Sequence, residues 1–490
     1  MCRKRRKKCD EVKPVCSDCS KHSFKCVWPA PPIATNQTLR EDGGGRKALA
    51  VVQARQIEYK DSASPSPFSD DSTKIGTARS AVYGLPGIRT SIEHYLSLCF
   101  KDKFMPTLLR GHAHPGFSHY DPLFGMGAET STLMEIFLAT TAMHTSYTDP
   151  KFKTVAVKYY NSVVSSVRKA IQSADVDGNE DWLLLTTNFL CIFEVFKERH
   201  ITRRTGVVTH LEGFARMLSI RIANDKRRTE KQERPFNRTA SESLVYHLCT
   251  QSLYDSEVDR IADLFDWNDL SAYLNYEVFA GATMYQNSPL LACNWEIYRC
   301  CIEVTRLSHH TPLDPIDNSR GQSLELDLYQ FHDDLRNDMQ VNRNDPCALD
   351  CIVQAQIYVI AAQILIFKTL RPETSTCHPR IRQLVRQGVA IADGLKIDMS
   401  CSMYFCWPLA IISCSVETED DVVILRRVLR QILENSNCGE VFRLRQATES
   451  FWKVCKVGKS EDARGTDGEK DILDILLCSE GIFNHPYLKL

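Results

Sequence analysis

The chain has 490 residues, enough for two or three domains and a substantial buried core. Hydrophobic residues at 43% and charged residues at 25% exclude a disordered, fibrous or membrane-embedded chain and fit an ordinary soluble globular protein. Net charge is −1 but unevenly spread: residues 1–28 carry nine Lys/Arg against three Asp/Glu, a balance of +6 that leaves −7 for the rest. A polyanion contact is therefore expected at this basic head alone.

The head carries five cysteines, Cys2, Cys9, Cys16, Cys19 and Cys26, separated by six, six, two and six residues. Each interval is short enough for one compact loop to bring neighbouring sulfurs onto a shared metal. Thiolate is a soft donor that suits zinc, which takes four ligands in a tetrahedron. The two halves read alike, each a cysteine, six residues and another cysteine, and Lys13-Pro14 turns the chain between them.

This pattern resembles the fungal zinc binuclear cluster of the Zn2Cys6 transcription factors. Cys2 to Cys26 match the second to sixth cysteines of that family, the run from Arg3 to Lys8 matches its basic helix, and Pro14 falls where the family places its loop proline. The resemblance implies that Cys2, Cys9, Cys16, Cys19 and Cys26 ligate zinc, with two Zn2+ in a complete cluster. Its first cysteine would lie two residues before Met1. By resemblance the first and fourth cysteines bridge the metals, and of these the chain holds the fourth, Cys16. Five thiolates would leave each zinc one bond short, whereas structural zinc sites are closed by four protein ligands. The expectation is a chain start placed too far downstream, against the rival of a damaged cluster.

The resemblance further implies binding of double-stranded DNA, with a helix aimed into the major groove at a CGG triplet. Arg5 and Arg6 are the expected base contacts, because a guanidinium donates two parallel hydrogen bonds to guanine O6 and N7. Arg6 stands where the family usually carries lysine. Lys4, Lys7, Lys8, Lys21 and Lys25 are expected to neutralise phosphates, with Arg3 in the same DNA-binding run. The same basic run also fits a nuclear-import signal.

After this head (residues 1–29), residues 30–87 read as a flexible linker. They contain Gly43-Gly44-Gly45 and a Ser/Pro run at residues 62–67, and few large apolar side chains. Residues 47–60 give barely two helical turns and no sustained heptad, so the homodimer that the resemblance suggests has little zipper support here.

From about residue 88 the pattern changes to long amphipathic helices. Ile92, Tyr95, Leu96, Cys99 and Phe100 fall on one helical face, as do Leu133, Ile136, Phe137 and Thr140. Phe152, Ala156, Tyr159, Val163 and Val167 form the next stripe, and Val208, Leu211, Phe214, Ala215 and Leu218 another. Residues 182–196 are nearly all apolar and are predicted to be central. After a charged loop at residues 226–234, helical stripes resume at Ser243 and continue towards Lys456. The apolar run 352–367 is broken by Gln354, Gln356 and Gln363 and reads as a core helix rather than a membrane span. Alternating strand patterns are almost absent, so the fold class is mostly α, with a helical body over residues 88–460 and a tail over residues 461–490 holding a short amphipathic helix.

The body also resembles the fungal-specific transcription factor domain. The likeness lies in Tyr159-Tyr160-Asn161, in residues 183–195, in His210-Leu211-Glu212-Gly213-Phe214-Ala215 and in Ser288-Pro289-Leu290-Leu291. Each segment equally fits plain helix packing, with Gly213 expected to let two helices approach closely. Fifteen cysteines beyond the head show no repeated ligand spacing and read as buried free thiols in a reducing compartment. No apolar stretch follows the charged N-terminus, so no signal peptide is expected. Neither His112-x-His114 nor His309-His310 has a nearby third ligand. The absence of nucleophile-elbow, Walker and Rossmann motifs argues against an enzyme.

The sequence thus reads as a zinc-dependent, sequence-specific nuclear transcription factor acting on RNA polymerase II genes, with DNA and coregulators or the transcription machinery as partners and no membrane. The alternative is a helical regulatory protein with a defective cluster that acts through protein partners without binding DNA. The acidic-apolar stretch 471–477 fits either a packed terminal helix or a coactivator contact.

Overall fold

In the computed structural model the described residues are 21, 87–197, 206–225, 234–398, 402–454 and 457. The chain divides into two units, Met1–Asp71 and Ser72–Leu490. Of the first, Lys21 is described, and it is helical and exposed. The segments expected to form the linker at residues 30–86, the charged loop at 226–233 and the tail helix at 471–477 lie outside the described residues.

The second unit is built of helices whose ends are written into the sequence. Thr90 opens α1 (Ser91–Cys99) with a capping box: its hydroxyl accepts from the Glu93 N–H at 3.2 Å while Glu93 accepts from the Thr90 N–H at 2.7 Å. A five-residue π turn, Phe100–Phe104, joins α1 to α2 (Met105–Leu108). Next come α3 (Asp121–Glu129), α4 (Ser131–Thr145), α5 (Phe152–Gln172), α6 (Asp181–Lys197), α7 (Val207–Asp225) and α8 (Arg234–Ser252). Two short helices, α9 (Asp259–Ala262) and α10 (Trp267–Leu274), precede α11 (Trp295–His309).

Two long helices then start on the same device, an aspartate cap followed by proline, which needs no hydrogen-bonded N–H in the first turn. Asp314 caps α12 (Pro315–Val341) and Asp345 caps α13 (Pro346–Leu370). The chain ends its described part with α14 (Pro379–Gly394), α15 (Cys406–Ser413), α16 (Glu419–Ser436) and α17 (Gly439–Val454). Among the described residues there is no strand, so the all-α expectation holds.

Two helices form the centre. Every residue of α6 from Leu183 to Phe196 is buried, as the sequence pattern predicts, and it packs between α4 and α7. The second is α13, which contacts α11, α12, α14 and α15. It is long and apolar enough to cross a membrane by length and composition, yet Ile352, Tyr358, Ile360 and Ile364 are buried within the body. Its three glutamines serve that packing. Gln354 accepts from Arg110 at 2.5 Å, Gln356 reaches the Met339 sulfur at 3.1 Å, and Gln363 donates to the Leu328 carbonyl at 3.2 Å.

The stripes on α4 and α7 are buried as expected, and so is that on α5 apart from Tyr159, which is half-buried and donates to Glu93 at 2.5 Å. Two expectations are corrected. Ile92 and Tyr95 are 48% and 43% exposed, because α1 meets α4 through Leu96 and Phe100 while Tyr95 stacks on Phe152 at the edge, 5.7 Å between ring centroids. The π turn then admits both Phe100 and Phe104 to the core, where Phe100 lies 4.6 Å from Phe137 and Phe104 lies 5.4 Å from Phe196. Gly213 does not mark a close helix approach, since a Cβ there would meet nothing within 4 Å. Gly388 plays that part: a Cβ would meet the Ile412 side chain at 2.8 Å, where α14 crosses α15.

The twelve described cysteines are reduced, and all but Cys347 and Cys377 are buried. Burial pushes the thiols of Cys300, Cys351 and Cys438 up to about 12, so they are inert apolar fillers.

One buried carboxylate gives the fold a pH dependence. Glu440, 1% exposed in α17, accepts from the Gln251 amide at 3.4 Å, and burial raises it from 4.5 to about 7. The folded state therefore holds its proton where the unfolded chain has released it, so stability falls as pH rises from about 4.5 to 7 and levels off above. Glu440→Gln should be more stable than the parent at pH 8 by on the order of 3 kcal/mol, the equivalent of that shift. The gain should vanish towards pH 4.5. Urea unfolding of both proteins at several pH values checks this, and a gain independent of pH would contradict it.

Candidate functional site

Of the residues expected to bind metal or DNA, Cys2, Cys9, Cys16, Cys19, Cys26, Arg3, Lys4, Arg5, Arg6, Lys7, Lys8 and Lys25 lie outside the described residues. Lys21 is helical and exposed, which leaves its ammonium free to meet solvent or a polyanion.

The segments that set the body apart in sequence come together in space as two polar knots, the first half-buried and the second buried. In the first, the Tyr160 hydroxyl of α5 lies 2.9 Å from Nε2 of His210 in α7, and its ring stacks on Phe193 of α6 at 4.4 Å. Glu194, 2% exposed, holds Lys197 at 3.0 Å, and that ammonium sits 5.1 Å above the Tyr160 ring. Burial, ahead of the Glu194 charge, drives the Tyr160 hydroxyl well above its ordinary range, and burial lowers His210. Both groups thus stay neutral and act as fasteners between three helices.

The second knot closes on residues 288–291, a loop that must cross the interior. Glu242, fully buried in α8, accepts from Arg238 Nε at 2.6 Å and from the Leu290 and Leu291 N–H groups at 2.8 and 3.1 Å. Arg110, 3% exposed, donates to the Leu290 carbonyl at 2.8 Å and lies 4.0 Å over the Tyr404 ring. The Ser288 hydroxyl accepts from the Ala292 N–H at 3.0 Å. Loop backbone buried this way needs a partner for each N–H and C=O, and side chains from distant helices provide them.

The histidine pairs serve structure as well. His114 accepts from the Gly116 N–H at 3.1 Å and stacks on Phe279 at 3.9 Å. His309 meets Asp259 at 2.8 Å and His310 meets Asp317 at 3.5 Å. Burial pushes His112 down to about 4. Among the described residues no three His, Cys, Asp or Glu side chains are grouped to hold a metal ion. Sequence reasoning missed Arg110, Arg238 and Glu242: Arg238 and Glu242 stand one helical turn apart, a spacing common on exposed helix faces, while the partners of Arg110 lie up to 244 residues away.

Removing half of the second knot should be costly. Glu242→Ala leaves Arg238 buried without its partner and should destabilise the body by about 3–5 kcal/mol in urea unfolding. The double variant Arg238→Met, Glu242→Leu removes the unpaired charge yet leaves two loop N–H groups without acceptors, each costing about 1–3 kcal/mol. It should therefore recover only part of the loss. Full recovery would mean that the ion pair, and not the loop clamp, is what matters.

Comparison with known families agrees with both regions. Residues 94–462 match the fungal specific transcription factor domain, and residues 1–33 match the fungal Zn(2)-Cys(6) binuclear cluster domain. No curated protein and no solved structure matches the chain. The cluster domain is one that carries two zinc ions, and both matched domains are transcription factor domains, not enzymes. With most of its length in the first match, the chain belongs to the fungal transcription regulators that combine a Zn(2)-Cys(6) cluster domain with the fungal specific transcription factor domain.

Proposed function

We propose that the chain is a nuclear, zinc-dependent factor that binds double-stranded DNA at CGG-type triplets and regulates RNA polymerase II genes. The observation that carries this is the five-cysteine spacing wrapped around the run Arg3 to Lys8, within the matched cluster domain. Cys2, Cys9, Cys16, Cys19 and Cys26 are the zinc ligands in this reading. Their all-thiolate chemistry suits structural zinc, which supplies folding energy to a head too small for a core of its own.

Arg5 and Arg6 read guanine edges in the major groove, since a guanidinium fits O6 and N7 together. Arg3, Lys4, Lys7, Lys8, Lys21 and Lys25 fix the head on the phosphates, and the exposure of Lys21 supports this role. The concentration of positive charge in residues 1–28, against an acidic remainder, confines the DNA contact to the head. In the same reading residues 1–29 are the head, 30–87 a linker, 88–460 the body that meets coregulators, and 461–490 a tail.

Arg6→Ala should cost about 1–3 kcal/mol on a CGG-containing duplex and little on random DNA. Lys7→Ala should weaken both equally and reduce the salt slope by about 1. Fluorescence anisotropy titrations across a salt series measure each effect. An Arg6→Ala protein with undiminished preference for its site would overturn the base-contact assignment.

A further inference from the structure

Helices α6 and α8 border a space that no side chain among the described residues fills. On α6 the stripe is Asp181, Leu185, Asn188, Phe189 and Ile192, and on α8 it is Pro235, Phe236, Thr239 and Ser243. These positions recur at helical spacing, so each set lies on one face. Between them lies a cavity of about 800 Å³, floored by Met105, Leu108 and Leu290. Its mouth is made by exposed Pro115, His119 and Pro122, with Phe279 and Met126 on the sides. Protein interiors close voids larger than a water molecule, so an apolar space of this size is not a packing remainder. It falls within the roughly 300–1,000 Å³ range of small-molecule sites.

The polar groups in the wall define what fits. Asn188 is 7% exposed, and its side-chain oxygen accepts from the Ser243 hydroxyl at 2.8 Å. Among the described residues its amide nitrogen makes no hydrogen bond, although it borders the cavity. That nitrogen is open to the cavity, and a ligand oxygen placed there would accept from it. Thr239 cannot substitute, since its hydroxyl donates to the Pro235 carbonyl at 2.9 Å. Among the described residues Asp181 is the one carboxylate in the wall, where it is ion-paired with Arg221, and no lysine or arginine lines the cavity. The site therefore offers no unpaired charge to a charged molecule.

We propose that this cavity binds an uncharged, mostly apolar small molecule that presents a carbonyl or similar acceptor to Asn188, which would make the helical body the receptor for a chemical signal. Binding energy would come from covering the two helix faces, and orientation from the Asn188 amide.

Prodan, an uncharged naphthyl ketone whose emission reports its surroundings, tests this on the full chain. Saturable binding with blue-shifted emission is expected. Asn188→Leu should raise the Kd for prodan about tenfold, the worth of one hydrogen bond, and leave unchanged the Kd for the carbonyl-free parent dimethylaminonaphthalene. Met126→Trp and Thr239→Trp fill the cavity from opposite, partly exposed walls, and each should abolish binding of both dyes. Val423→Trp, at a 53% exposed position away from the cavity, should leave it intact. The proposal fails if the full chain shows no saturable site, if both folded tryptophan variants bind as the parent does, or if anilinonaphthalene sulfonate binds as tightly as prodan.

Discussion

The body depends on a buried loop that ordinary helix packing could not hold. Residues 288–291 run through the interior between α10 and α11, and unmet backbone groups there would cost more than the surrounding apolar contacts return. Glu242 takes two of their N–H groups while Arg238 neutralises it, and Arg110 takes the Leu290 carbonyl from the far side. Arg110 also reaches Gln354, so α8, the end of α2 and α13 are tied to one loop. The same loop supplies Leu290 to the floor of the central cavity. A fold that keeps an open cavity beside its centre needs such a brace, because the cavity walls gain nothing from packing against each other.

Elsewhere the interior is kept neutral. His144 and His247 are pushed down to about 4 by burial, and the buried thiols of Cys191, Cys301 and Cys406 are driven up by it. Neutral histidines and protonated thiols cost far less in an apolar setting than their ions would. This explains why so many cysteines and histidines occur in the body without forming a metal or redox centre among the described residues.

Much of the helical layout was legible. The stripes on α4, α5 and α7 repeat at the helical period, a signal that local sequence contains. The glutamines that argued against a membrane span in α13 do hydrogen-bond inside the body. The failures have physical causes of another kind. Ile92 and Tyr95 share a helical face with Leu96, but helical spacing does not tell how much of a face its neighbour covers. Gly213 has open space where a Cβ would stand, and a glycine carries no local mark of what faces it. The knot around Glu242 and the cavity beside Asn188 arise from segments far apart in sequence, so apolar residues facing a void look the same as those facing a core. The cluster domain, by contrast, was legible because cysteine spacing is itself a local signal, and the family match covers residues 1–33.

The proposed activity joins a metal-folded basic head to this braced body, and its central requirement is that zinc creates the sequence preference. The most direct measurement is selection of bound sites from a random duplex pool by the full chain, run with and without a zinc chelator. The expected result is enrichment of CGG-type triplets that disappears on chelation, since the head draws its folding energy from the metal. A selected pool with no common triplet, or one whose enrichment is unchanged by the chelator, would contradict it.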